Sequence, residues 1–177
     1  FIRQPQFLER RIAQNYPWPS ALNRLTVNFK FNMDLLSSCK PVIHISKLEG
    51  ACITDAHVEL KGTDASLFSS VNHSVGFSSW DEVTETLKVR PANSVALSSP
   101  PSILSNVEYT FEFDITNPVH GQDGPPVTVE LFTQHASLTQ AVAPQVMTQN
   151  KTGKPAGTYF KIGDAKALEV YPPEFIV

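Results

Sequence analysis

The sequence predicts an all-β fold, an antiparallel β-sandwich of about eight to ten short strands. Three observations carry that expectation. Apolar and polar residues alternate with a period of two over several stretches. Prolines, 14 in 177 residues, and glycines punctuate those stretches. Phenylalanine, at 11, far outnumbers tryptophan and methionine, at two each, and β-branched and aromatic side chains suit a pleated, half-buried surface.

The elements follow in chain order. Residues 4–14 carry Phe7, Leu8 and Ile12 between Gln4-Pro5 and Tyr16-Pro17-Trp18-Pro19. That bracketing reads as an extended opening segment rather than a helix. In 25–33, LTVNFKFNM, the residues Leu25, Val27, Phe29, Phe31 and Met33 alternate with polar ones, which is the pattern of a half-buried strand. Strands are expected at 42–46, VIHIS, and at 56–60, AHVEL, with the Gly50 turn between them and the breaker KGTD after the second. A further strand is expected at 85–91, and Trp80 is read as beginning one. The strongest alternation spans 107–118. There Val107, Tyr109, Phe111, Phe113 and Ile115 face one way, and Asn117-Pro118 ends the run because proline cannot donate to a ladder. PVTVELF at 126–132, TYFKI at 158–162 and ALEVY at 167–171 complete the set. Alternation of this kind implies antiparallel sheets with one wet face.

Bulk properties exclude some classes of function. Apolar residues make up 41% and charged residues 18%, so the chain is expected to fold rather than remain disordered. A net charge of −3 and a pI near 5.9 give no footprint for nucleic acid and no basic face for an anionic membrane. The apolar runs are too short for a membrane-spanning helix. With no initiator methionine or signal peptide, the chain reads as a piece of something larger. Residues 1–172 form one unit on this reading, and 173–177 are a linker or the start of a following unit. Pro5-Gln6-Phe7-Leu8 is echoed by Pro173-Glu174-Phe175-Ile176, as a tandem repeat would require.

Five segments together resemble a repeat module of very large secreted and surface proteins of algae and other protists. They are FLERRIAQNYPWPSALNRLTVNFKFNMDL, IHISKLEGA, GFSSWDEVTETLKV, VEYTFEFDITNPVHGQDGPPVTVEL and GDAKALEVYPPEF. The resemblance implies an extracellular, immunoglobulin-like β-sandwich that serves as a filament unit, scaffold or adhesin stalk. It implies no catalytic residues, and its partners would be neighbouring units, other surface proteins or polysaccharide. The two cysteines depart from what such modules are expected to carry.

Candidate site residues are few. Cys39 and Cys52 are the only cysteines, and two alternatives stand: one disulfide, or two small buried hydrophobes. A strand of about five residues between them would hold the ends about 17 Å apart unless the chain doubles back. Five histidines, His44, His57, His73, His120 and His135, show no metal-ligand spacing, although His44 and His57 are expected on adjacent strands where they could face each other. The polar loops at 120–124, with Asp123, and at 62–64 are read as ordinary turns. Calcium, the single cofactor considered, is the alternative for them. Asn72-His73-Ser74 and Asn150-Lys151-Thr152 are N-glycosylation sequons in expected loops, as a glycoprotein requires. Tyr16, Trp18 and Trp80 are the aromatics that could stack on sugar, against a reading as core residues. They carry the alternative function, a carbohydrate-binding module of a wall-associated protein. Glu112 and Asp114 share one face of a strand and are read as its wet side rather than as a catalytic pair. No nucleophile elbow, phosphate loop or dinucleotide fingerprint occurs, so no enzyme is expected.

Overall fold

A computed structural model describes residues 4–72, 74–92, 102–134, 138–149 and 166–171. Thirteen strands lie among the described residues. In chain order they are β1 (Phe7–Gln14), β2 (Leu22–Phe31), β3 (Leu35–Leu36), β4 (Val42–Ser46), β5 (His57–Glu59), β6 (Phe68–Ser69) and β7 (Phe77–Asp81). Then come β8 (Thr86–Pro91), β9 (Ser102–Ile103), β10 (Glu108–Thr116), β11 (Thr128–Gln134), β12 (Leu138–Val146) and β13 (Thr148–Gln149). Two sheets pack face to face as an all-β sandwich. The smaller has the order β10-β2-β1-β13; the larger runs β12-β11-β4-β8-β7-β5, with β6 on β8. Neighbours are antiparallel except β1 and β13, which are parallel.

Period-two alternation builds the core. Along β2, Asn23, Leu25, Val27, Phe29 and Phe31 are buried while Leu22, Arg24, Thr26, Asn28 and Lys30 are not. β10 repeats the pattern with Tyr109, Phe111, Phe113 and Ile115 inward. The register sets Phe111 beside Val27 and Phe113 beside Leu25. From the opposing sheet Ile43, Ile45, Leu87, Val89, Val129 and Leu131 close the core. The phenylalanines concentrate where the sheets face: ring centroids of Phe29 and Phe111 lie 5.7 Å apart, Phe29 and Phe68 5.5 Å, and Phe68 and Phe111 5.2 Å. Tilted and edge-on ring pairs of this kind add to area burial.

Several expectations shift. The opening segment is extended, as its prolines require. β2 begins three residues earlier than expected and stops at Phe31, which leaves Met33 only partly buried beyond it. Val107 precedes β10 and is 42% exposed, so the inward row begins at Tyr109. The stretch expected as a strand at 167–171 is mostly a turn: Leu168 adopts φ 63°, and only Val170 pairs, with Gln122. The strand expected at 158–162 lies outside the described residues.

The two ends of the sandwich are distinct. Gln6 and Asn32 exchange backbone and side-chain hydrogen bonds where β1 begins beside the end of β2. The backbone therefore comes in at that end, the leading pole. Tyr171 N donates to Pro17 O at 2.9 Å, beyond the far end of β1, so the described chain leaves at the other end, the trailing pole. The ten residues of β2 run between the poles, about 30 Å at the rise of an extended strand.

Candidate functional site: two poles and a polar sheet face

At the trailing pole three amides continue the core faces of their strands by one step. Gln14 follows Ile12, Asn23 precedes Leu25, and Asn117 follows Ile115, each two residues along an inward row. Pleat geometry therefore turns all three inward. Burial is tolerated because they satisfy one another. Asn23 Nδ2 donates to Gln14 Oε1 and to Asn117 Oδ1, both at 2.8 Å, and Asn23 Oδ1 accepts from Tyr16 N at 3.0 Å. Asn117 Nδ2 donates to the carbonyls of Tyr16 and Trp18, which pins the proline-rich loop. Gln14 Oε1 accepts from Leu168 N, and its Nε2 donates to Glu169 O. Gln122 Nε2 adds bonds to Glu49 O and Leu168 O. The segment at 166–171 is thus clasped both to Gln14, about 150 positions earlier, and to Gln122.

The predicted sugar-stacking residues do not share a face. Trp80 points into the core and is 8% exposed. Trp18 is half-buried at the trailing pole, its ring 6.1 Å from that of Tyr171, and Tyr16 is 43% exposed nearby. The cysteines do not meet either. Both are free and exposed, and β4 runs between them, with Cys39 at the leading pole and Cys52 pairing with Thr116 at the trailing pole. An internal Cys39–Cys52 bridge is not formed, and neither thiol is the buried hydrophobe of the other alternative.

Asn72 is exposed in the turn after β6, where Ser74 N donates to Ser70 Oγ; Asn150 lies outside the described residues. His120 and Asp123 are exposed. In the other polar loop Asp64 Oδ2 accepts from Thr110 N, so that acid anchors a strand edge. Among the described residues no group of three or more His, Cys, Asp or Glu is placed to hold a metal ion. His57 does not face His44, because β8 and β7 separate β5 from β4.

Glu112 and Asp114 lie on the wet face of the smaller sheet and carry ion pairs. Asp114 accepts from Arg24 Nε at 2.8 Å and from Lys61 Nζ at 2.7 Å, and Glu112 lies 3.7 Å from Arg24. The Arg24 hydrogen bond, reinforced by Lys61, holds the Asp114 carboxyl below its ordinary range against the opposing effect of burial.

The outer face of the larger sheet is the second feature. Register places Glu130, His44, Lys88 and Ser79 in one rung across β11, β4, β8 and β7. Glu130, His44 and Lys88 floor a depression of about 370 Å³ that Ser46, Asp81 and Thr86 also line. Lys88 Nζ donates to Asp81 at 2.7 Å, and that bond lowers the Asp81 carboxyl to about 2. His44 lies against Phe132, ring centroids 4.4 Å apart, with its Nδ1 3.8 Å from Glu130 Oε1. Burial first, and the Lys88 charge second, push the imidazole down to about 4, while Asp81 opposes them.

A group whose folded pKa lies below its unfolded value favours the fold in its deprotonated form. His44 therefore contributes stability above pH 6.5 that is lost as the pH falls through about 4. The loss is on the order of 2 kcal/mol, because solvent screens the half-buried ring in part. Urea unfolding at pH 7, 5.5 and 4 should show it, and His44→Gln should flatten the profile between pH 6.5 and 4. An unchanged profile in that variant contradicts the assignment.

No family model matches the chain and no curated protein matches it, so its function is argued from this geometry.

Proposed function

We propose that this domain is a non-catalytic structural or interaction module, one unit of an extracellular tandem array that works as a filament, scaffold or adhesin stalk. One observation carries the reading: the described residues begin at the leading pole and end at the trailing pole, where the segment 166–171 is clasped by buried amides. Domain termini are often close together. A module meant to add length in line needs them apart and held at a fixed angle. The proline-rich loop Tyr16–Pro19, fastened through Asn117, stiffens that junction further. The neighbours of such a unit are further units of the same kind, at a cell surface or in secreted material.

Two copies joined tail to head in one polypeptide test this. Small-angle X-ray scattering should give a maximum dimension roughly twice that of one copy, because a short, proline-stiffened junction limits bending. A compact pair with its units folded side by side would refute the in-line reading.

A further inference from the structure

The two free cysteines mark the two poles. Cys39 ends the short 3₁₀ turn Ser37–Cys39 that follows β3, and it is exposed beside the exposed Lys40. Cys52 is exposed at the opposite pole, on the rim of an open depression of about 250 Å³ that Leu22, Asp55, His57 and Glu59 also line. The β4 strand separates the thiols by far more than the roughly 7 Å between Cα atoms that a disulfide spans. Neither thiol can reach the other within one copy, but a second copy placed in line brings Cys52 of one unit towards Cys39 of the next.

Two further features fit a second copy. Exposed apolar side chains gather at the poles: Leu8, Leu36, Leu104 and Val107 at the leading pole, and Tyr16, Leu22, Val83 and Val119 at the trailing pole. Single exposed hydrophobes are ordinary, but groups at the two opposed ends of one domain suit a contact between ends. Charge is also complementary, since Lys40 adjoins Cys39 and the exposed acid Asp55 lies on the same depression as Cys52.

We propose that consecutive copies of this domain dock pole to pole and are joined by a disulfide between Cys52 of one copy and Cys39 of the next. The proposal rests on the in-line reading above. A small disulfide such as oxidised glutathione supplies the oxidising equivalents. One cysteine thiolate attacks it, forms a mixed disulfide and releases one reduced glutathione. The thiolate of the other copy then attacks the mixed disulfide, forms the Cys52–Cys39 bond and releases the second reduced glutathione. Two protons leave the protein thiols and two electrons pass to glutathione. Joining copies in one chain raises the local thiol concentration and favours this pairing over random exchange.

The test uses the whole chain with oxidised glutathione and non-reducing electrophoresis. Wild type should give a ladder of dimers, trimers and longer species. Cys39→Ser and Cys52→Ser should each remain monomeric alone, yet yield dimers and nothing longer when mixed. Wild type that stays monomeric overturns the proposal, as does a single variant that dimerises as readily as the mixture. Scattering from the two-copy chain under reducing conditions separates the two claims. An elongated pair with no heterotypic disulfide sinks only the bond, whereas a folded-back pair sinks the in-line reading itself.

Discussion

Replacing Phe111 with alanine is expected to lower the unfolding free energy by about 3–5 kcal/mol. The ring is wholly buried in the middle of β10. It touches rings from both layers, with centroids 5.7 Å from Phe29, 5.2 Å from Phe68 and 6.4 Å from Phe113. Truncation removes the transfer energy of an aromatic side chain and leaves a cavity that surrounding strands cannot fill, because their positions are fixed by ladders on either side. A domain of this size is stable by only about 5–15 kcal/mol, so the loss is a large fraction of the total. The urea midpoint should fall with little change in slope. Phe111→Leu keeps much of the volume and should cost under about 1.5 kcal/mol. Val107→Ala, at a side chain 42% exposed just before the same strand, should stay within about 0.5 kcal/mol. A Phe111→Ala loss no larger than that of Val107→Ala would mean that the sheets do not pack through these rings.

Much of this core was legible in the sequence because a pleat alternates and so does its burial. Phe29, Phe31, Phe111 and Phe113 follow directly from that period. What the sequence left hidden is instructive. β12 carries Ala141, Val142, Ala143 and Pro144 with no clean alternation, because its pairing with β11 is broken by two register shifts. The two-residue ribbon β3–β9 is too short for any period to register. The turn at Leu168 escaped because "ALEVY" alternates like a strand, while its backbone is held by the side chains of Gln14 and Gln122, which lie far away in sequence. The trailing clasp did leave a signal: Asn23 and Asn117 stand in phase with the apolar rows beside them, and an amide in phase with a core face is turned inward by the pleat. The placement of the cysteines was half legible. The strand between Cys39 and Cys52 argued against a bridge, but their exposure at opposite poles needed the three-dimensional arrangement of the sheets.

Asn23→Ala is the second large effect expected, on the order of 2–4 kcal/mol. Its side chain is fully buried, and all three of its hydrogen bonds go to groups of the trailing pole. Removing it withdraws one donor from Gln14 Oε1, strips Asn117 Oδ1 of its Asn23 bond and leaves Tyr16 N without the Asn23 acceptor. Stranded buried polar groups cost more than the bonds themselves were worth. The damage should spread in a particular direction, because Gln14 also holds Leu168 N and Glu169 O. Hydrogen exchange should therefore accelerate most at Leu168 and Tyr171, and least along the middle of β2. Asn23→Asp sharpens the test, since it keeps the shape but swaps the donating amide for a second oxygen facing the Gln14 and Asn117 acceptors. A carboxylate there is repelled and desolvated, and only its protonated form can donate. That variant should be at its weakest at neutral pH and recover as the pH falls, opposite in sign to the His44 effect in the parent protein. If the two-copy chain carrying Asn23→Ala stays as extended as the parent while those amides exchange freely, the clasp stabilises the fold without setting the angle between units. If it bends, the buried amides are what give the array its stiffness.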